Sequence, residues 1–157
     1  MPNWIEGTLK LRGKHDNIHR FIKEAIMPSR MFGVIVEKEY VIDRSDDEDI
    51  DVTIKNEPYI AGTRRMFIQD CDVRMWGVFG VAVFDIKQAW SFSSTQEDLE
   101  TLQKIAHTYD VDVRLYGIER GMEFTQEVIV TAKGVEKNEV KVYEDWDWEC
   151  PFPNMGG

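Results

Sequence analysis

The sequence has few of the residues on which several kinds of site depend. Its 157 residues include only two cysteines, Cys71 and Cys150, which lie far apart, and no Cys-x-x-Cys pair. This usage gives no disulfide framework and no cysteine spacing typical of zinc sites. We therefore expect both residues to be free, buried thiols in a reducing cytosol.

Long apolar runs are also missing. No run approaches the ~18 residues that a membrane helix needs. The start, Met1-Pro2-Asn3-Trp4, lacks the basic and apolar regions of a signal peptide. The sequence therefore predicts a cytoplasmic protein with no membrane contact. Its 43% hydrophobic content supports one packed domain over residues 1–157, with residues 145–157 as a loosely ordered tail.

Basic residues are outnumbered. The chain has 19 Lys and Arg against 29 Asp and Glu, for a formal net charge of −10. Because this charge repels phosphate backbones, we expect no direct binding to nucleic acid. The phosphate-binding glycine loops, Gly-x-Ser-x-Gly and His-Glu-x-x-His are absent, and no motif places a pair of carboxylates. The sequence thus predicts a protein that is not an enzyme.

What the chain does contain is negative charge gathered in two short stretches. Six carboxylates and one arginine in residues 43–51 give −5, and four carboxylates in residues 144–149 give −4. The rest of the chain is therefore close to neutral. Clustered carboxylates attract cationic surfaces, so the expected partner is a basic protein.

The first acidic stretch lies between two β segments and predicts a hairpin loop. Asp46, Asp47, Glu48 and Asp49 are its candidate partner-binding residues. Carboxylates spaced along such a loop can occupy an Arg- and Lys-lined groove that normally holds DNA. The alternative is a solvated loop that keeps the protein soluble.

The second acidic stretch alternates carboxylates with tryptophans. Its candidate partner-binding residues are Asp145, Trp146, Asp147 and Trp148. The alternation predicts the end of a strand with one aromatic face. Exposed tryptophans beside carboxylates suit an Arg-rich partner. Alternatively, a tryptophan folds back onto the sheet and completes the core.

Two histidines are candidate zinc ligands. His15 and His19 are four residues apart at the start of a predicted helix, so their side chains face the same way. A third ligand would have to come from elsewhere, from a carboxylate or a cysteine. Without one, the pair is two exposed polar residues at a helix start. A zinc cofactor, and with it a metal-dependent enzyme, is therefore an alternative hypothesis.

Periodicity indicates the order of the secondary structure. Residues 4–12 alternate as a half-buried strand, and the apolar positions of residues 18–26 indicate an amphipathic helix capped by Asp16 or Asn17. Several β segments follow, and Ser94 and Thr95 open a second helix with a capping-box pattern. A strand at residues 111–115 and a late hairpin complete the chain. This order predicts an α+β, ferredoxin-like βαββαβ sandwich, with a mostly antiparallel sheet, two helices on one face and extra strands.

Short motifs resemble those of a known group. Pro2-Asn3-Trp4 opens the first strand, Ala89-Trp90-Ser91 precedes the second helix, and residues 119–124 read Glu-Arg-Gly-Met-Glu-Phe. This succession resembles the small phage and prophage proteins of the YubB-like, ferredoxin-like family. Two features depart from it: Phe92-Ser93 stands where that family has Pro-Pro, and its Gly-Thr-Lys-Trp-like segment is not recognisable here.

The resemblance implies a mobile-element origin and brings no catalytic residues, because the family has no established reaction. Combined with the acidic stretches, it leads to the hypothesis of an anti-CRISPR inhibitor. Such an inhibitor would bind the basic channel of a Cas9-type effector and block DNA loading. The alternative from another class is a structural or accessory phage protein that self-associates through an exposed sheet edge or the tryptophan tail.

Overall fold

Alternation of apolar and polar side chains makes the first strand the centre of the fold. In the computed structural model, which describes residues 4–31, 34–35, 39–89 and 95–151, β1 runs over Trp4–Lys14. Ile5, Leu9 and Leu11 are fully buried on one face of β1. The prediction of a strand at residues 4–12 is confirmed, and the strand runs two residues further.

Strands dominate the described residues, and three helices interrupt them. The helices are α1 (His15–Ala25), α2 (Thr95–Tyr109) and α3 (Trp146–Glu149). The other strands are β2 (Ile26–Met27), β3 (Arg30–Met31), β4 (Val34–Ile35), β5 (Val41–Asp43), β6 (Val52–Ile54), β7 (Tyr59–Ile60), β8 (Phe67–Trp76), β9 (Phe79–Ala89), β10 (Asp112–Glu119), β11 (Phe124–Thr131) and β12 (Gly134–Val142).

Eight of these strands form one antiparallel sheet in the order β12-β11-β10-β1-β9-β8-β7-β2. β1 pairs with β9 on one side and β10 on the other, which places Leu9 opposite both Phe84 and Leu115. All three side chains are fully buried. The register therefore aligns the apolar residues of three neighbouring strands on one face, which we call the helix face.

Both longer helices pack on this helix face. α1 buries Ile18, Phe21, Ile22 and Ala25, and α2 buries Leu102, Ile105, Ala106 and Tyr109. The Phe21 ring lies 5.8 Å from that of Phe84 and 5.2 Å from that of Tyr109, between centroids. The opposite side of the central strands, which carries Thr8, Lys10, Arg114 and Tyr116, is here called the open face.

The prediction of a ferredoxin-like α+β sandwich is wrong. Over the part of the chain that the structure describes, the fold is mostly antiparallel β, built on an eight-stranded sheet with three short helices of 11, 15 and 4 residues. Periodicity identifies single elements but not the sheet that they join. Here the hairpin of β11 and β12 extends the sheet on one side, and β7 and β2 extend it on the other.

The start of α1 differs from the expected cap. α1 begins at His15 and follows Lys14, so neither Asp16 nor Asn17 caps it. Ser94 lies outside the described residues. Asp98 is 5% exposed, and its carboxylate accepts a hydrogen bond from Gln88 Nε2 at 3.3 Å. Burial raises the pKa of Asp98, so this residue is part of the interior rather than an exposed first-turn acid.

Both cysteines are free, as expected, with Cys150 buried and Cys71 partly buried. Burial, with added repulsion from nearby carboxylates, raises the pKa of Cys71 to about 12. Burial also raises the pKa of Cys150. Both shifts favour the neutral thiol, whereas reactive cysteines have a lowered pKa. No described helix has the length and apolar character to cross a membrane.

Candidate partner-binding site

The first acidic stretch forms the tip of a two-stranded hairpin, as predicted. β5 and β6 pair antiparallel, with Val41 opposite Ile54 and Asp43 opposite Val52. We call residues 41–54 the acidic hairpin and residues 44–51 its tip. The backbone amide of Arg44 donates to the Asp51 carbonyl at 2.8 Å, which closes the tip at its base.

The tip is held by its own hydrogen bonds. The Asp46 carboxylate accepts the backbone N–H groups of Glu48 and Asp49 at 2.9 and 2.8 Å, an Asx-type turn. Ser45 Oγ accepts the N–H of Asp51 at 3.1 Å. The two hydrogen bonds to Asp46 lower its pKa. A tip ordered in this way loses less conformational entropy when it docks than a flexible loop would.

The tip keeps a net charge of −4, since Arg44 offsets only one of its five carboxylates. Asp46, Asp47, Glu48 and Asp49 are all exposed. Among the residues that the structure describes, none of these four carboxylates forms an ion pair. The structure thus brings the four predicted residues together on one turn, with their negative charge available to a cationic surface.

The acidic hairpin is anchored to the rest of the fold by two apolar side chains, one of them within the tip, and by contacts of Asp43 with α1. Ile50 and Val52 are buried in the main hydrophobic core. His19 on α1 places its ring Nε2 2.8 Å from Asp43 Oδ2, and Lys23 Nζ lies 4.0 Å from the same oxygen. The hairpin is therefore held against α1 and the core, while the carboxylates of residues 46–49 stay exposed.

The contact at Asp43 predicts a pH dependence of stability. Burial raises the pKa of Asp43, but hydrogen bonds from Ser45 and His19 outweigh it and lower the pKa from 3.8 to about 2. Since the folded-state pKa is the lower one, ionised Asp43 stabilises the fold above pH 4, and this stability is lost as pH falls from about 4 to about 2.

We therefore expect Asp43→Asn to be less stable than the natural chain above pH 4 and to lose less stability on acidification. The measurement is the free energy of unfolding by urea at intervals between pH 6 and pH 2. Curves for the two proteins that stay parallel between pH 4 and pH 2 would contradict this role for Asp43.

The two histidines do meet, but they do not complete a metal site among the described residues. Their ring centroids are 5.8 Å apart. His19 Nε2 is engaged by Asp43, and His15 Nδ1 lies 3.2 Å from Asp16 Oδ1. No group of three or more His, Cys, Asp or Glu residues in the described part of the chain has the arrangement to hold a metal. The zinc hypothesis therefore gains no third ligand.

The alternative of two exposed polar histidines is wrong. The side chains of His15 and His19 are only 12% and 20% exposed. The i, i+4 spacing predicts that the two side chains point the same way, but it does not predict what they contact. His19 contacts Asp43 of the acidic hairpin, so this histidine helps to position the candidate site.

The second acidic stretch forms the short helix α3, and the prediction of a strand end is wrong. Trp146 is 9% exposed and packs in a small cluster with Ile118, Tyr143 and Cys150. Its ring meets that of Tyr143 edge-on at 5.4 Å between centroids. Trp148, by contrast, is 87% exposed. One tryptophan therefore completes a cluster on the sheet while the other faces solvent, and residues 152–157 lie outside the described residues.

The two acidic stretches lie on opposite faces of the sheet. Ile50 and Val52 join the core of the helix face. Ile118, on which α3 packs, stands opposite Glu6 in the register, and Glu6 alternates with the buried Ile5 of β1. Asp145 and Asp147 are therefore directed away from the side on which the acidic hairpin packs, and the two stretches do not form one continuous acidic surface.

Comparison with family models, curated proteins and solved structures found no match to this chain. Pro2, Asn3, Trp90 and Ser91, which carry part of the resemblance to the YubB-like family, lie outside the described residues. Trp4 is described, and its ring stacks on that of Phe67 at 6.3 Å between centroids. The family assignment thus continues to depend on the short motifs alone.

The Glu-x-Gly-x-x-Phe motif has a structural role here. The buried Glu119 carboxylate accepts the backbone N–H groups of Gly121 and Met122 at 3.0 and 2.5 Å. A side chain at Gly121 would place its Cβ 2.9 Å from Glu119 Oε1. Phe124 is fully buried in the core. The motif therefore builds the turn between β10 and β11 and supplies no chemistry at the acidic hairpin.

Sequence reasoning missed an exposed apolar turn. Trp76, Val78 and Phe79, at the β8–β9 turn, are 59%, 67% and 49% exposed. Trp76 and Phe79 border a cavity of about 450 Å³ that Lys14 also lines. The sequence signal that would have found this turn is Gly77, which lies between Trp76 at the end of β8 and Phe79 at the start of β9. In the structure Gly77 has a φ of 66°.

Proposed function

We propose that the protein is a non-enzymatic binding protein that inserts the acidic hairpin into the basic groove of a protein partner. The observation that carries the proposal is the tip itself. Four exposed carboxylates without ion pairs in the described residues stand on a turn that is held by hydrogen bonds from its backbone N–H groups to the Asp46 carboxylate. No catalytic group is required for this function.

The physical basis is charge complementarity with a pre-formed surface. A groove that normally holds nucleic acid is lined with Arg and Lys and carries a strong positive potential. Electrostatic attraction raises the rate at which a compact row of carboxylates associates with such a groove. The carboxylates then compete with the phosphates for the same Arg and Lys side chains. Binding of this kind weakens as salt increases, because screening shortens the reach of exposed charges.

As the specific partner we propose a Cas9-type effector, which would make the protein an anti-CRISPR inhibitor. Such effectors hold guide and target in long, positively charged channels. The resemblance to phage and prophage proteins supports a target in a host defence system. Since α3 lies on the opposite face of the sheet from the acidic hairpin, the proposal assigns contact to the hairpin tip alone.

The test is a DNA-cleavage titration with an order of addition. The purified protein is added to a panel of Cas9-type effectors before guide, after guide, and after target DNA, each at 50 and 300 mM salt. We expect inhibition that is weaker at the higher salt and is absent once target DNA is bound. No inhibition of any effector, or equal inhibition after target binding, would contradict the proposal of blocked DNA loading.

A further inference from the structure

The long edge of the main sheet carries a second contact surface. β12, over Gly134–Val142, is the last strand of the sheet, and it pairs with β11 on one side only. No described strand pairs with its outer edge. A strand of nine residues with an open edge offers its unpaired backbone N–H and C=O groups to another strand.

Apolar side chains follow this edge. Val135, Val140 and Val142 are 40%, 40% and 63% exposed. Val140 and Val142 stand opposite Gln126 and Phe124 in the register, so they belong to the helix face of β12. A second strand placed beside β12 would cover part of these side chains and remove them from water.

The opposite end of the sheet restricts what that second strand can be. The edge there is β2, which has only two residues, Ile26 and Met27. Head-to-tail stacking of β12 on β2 of another copy would therefore join two residues at most. Pairing of β12 with β12 uses the full strand in both copies, and this arrangement closes as a dimer rather than continuing as a filament.

Two-fold symmetry then selects the register. Two identical antiparallel strands can be related by a two-fold axis perpendicular to the sheet. The residue at the axis then stands directly opposite the same residue of the other copy, in either a hydrogen-bonded or a non-hydrogen-bonded pair. An axis at Lys137, Glu139 or Lys141 would set like charges against each other. An axis at Asn138, the midpoint of β12, sets Lys137 of each copy opposite Glu139 of the other.

An axis at Val140 also avoids a like-charge pair, but it brings a shorter span of the two strands together. Only residues 138–142 of each strand would then face one another. The axis at Asn138 spans residues 134–142, with a bulge at Glu136 that would face Val140 of the other copy. Lys137 and Glu139 both lie on the open face of β12, since they stand opposite Ile129 and Glu127. Lys137 Nζ lies 3.2 Å from Glu139 Oε2 of its own chain, and the axis sets this ion pair beside the same pair of the other copy. Opposite charges at facing positions stabilise strand pairs.

We propose that β12 is a homodimer interface in which two copies pair antiparallel about Asn138 and form one continuous sheet. The proposal is independent of the partner of the acidic hairpin. β6 of that hairpin packs beside β8, several strands from β12. A dimer of this kind would leave both tips free, and it would present two acidic tips to one partner.

The test uses one new cysteine at the proposed axis and a matched control. In Asn138→Cys, the two new thiols face each other within disulfide range, because facing residues of antiparallel strands have Cα atoms about 4.5–5.5 Å apart. In Val140→Cys, at another exposed position on the same side of the strand, the two thiols are about 13 Å apart along the strands. The natural chain, with Cys71 and Cys150, is the blank.

After mild oxidation we expect Asn138→Cys to run as a covalent dimer on non-reducing gels, at least tenfold more than Val140→Cys or the natural chain. Analytical ultracentrifugation of the natural chain should show a concentration-dependent species of twice the 18.3 kDa monomer mass. A monomer at all concentrations overturns the proposal. So does preferential cross-linking of Val140→Cys, which indicates another register.

Discussion

Reversal of Asp46, Asp47 and Asp49 to lysine is expected to raise the concentration of protein needed for half-maximal inhibition of its partner by about a hundredfold or more. Each lost charge contact costs about 1 kcal/mol of binding free energy. Three such losses add to about 3 kcal/mol, which is about a hundredfold in affinity. The reversed charges add repulsion from the basic groove. The measurement is the cleavage titration in the pre-target order of addition, at the lower salt.

A second reversal separates the tip's charge from its shape. Asp46 accepts hydrogen bonds that hold the tip, whereas no side-chain hydrogen bond of Asp47 or Glu48 is found in the described part of the chain. The double variant Asp47→Lys with Glu48→Lys should therefore keep the turn and still weaken inhibition about tenfold or more. Loss of inhibition only when Asp46 is changed would point to the shape of the tip rather than its charge.

The matched control lies on α3. Reversal of Asp145, Asp147 and Glu149 to lysine changes the net charge by the same amount on the opposite face of the sheet. We expect at most a threefold effect, from the weaker long-range field. If the α3 variant loses inhibition as fully as the hairpin variant, net charge rather than the acidic hairpin is the determinant.

The largest loss of stability is expected for Gly7→Ala. Gly7 lies in β1 at the centre of the sheet, opposite Gly117. A Cβ at this position would lie 2.1 Å from the Tyr116 carbonyl oxygen and 2.8 Å from the Gly117 Cα. Both are backbone atoms, so neither can rotate away, and the strands must separate. We expect a loss of about 3 kcal/mol or more in the free energy of unfolding.

Thr8→Ala is the control for Gly7→Ala, because it changes the next residue of the same strand on the open face. We expect it to cost less than about 1 kcal/mol. Urea unfolding of the two variants beside the natural chain measures the difference. Equal stabilities for the two variants would mean that β1 and β10 can separate at Gly7 without cost, contrary to the close approach described here.

The parts of the fold that were predicted correctly depend on local patterns. Alternation places Leu9 and Leu11 of β1 on one face, and the 3.6-residue period of α1 places Ile18 beside Phe21 and Ile22. The eight-stranded sheet could not be predicted in this way, because it depends on pairings distant in sequence. The pairing of Leu9 with Leu115 joins residues more than one hundred positions apart.

The candidate site, too, was predicted correctly only where a local pattern determines the structure. A run of carboxylates between two β segments was enough to predict the hairpin tip, because such residues favour turns. The sequence did not indicate which of Trp146 and Trp148 is buried, since both lie in the same acidic pattern. Packing on Ile118 and Tyr143 decides it, and the same packing places α3 on the other face from the tip.

The most direct test of the central claim is hydrogen–deuterium exchange of the protein with and without a guide-loaded Cas9-type effector. We expect slower exchange of the backbone amides of residues 44–51 in the complex and unchanged exchange of residues 144–149. The outcome that would contradict it is protection confined to regions other than the acidic hairpin, or no complex with any effector tested.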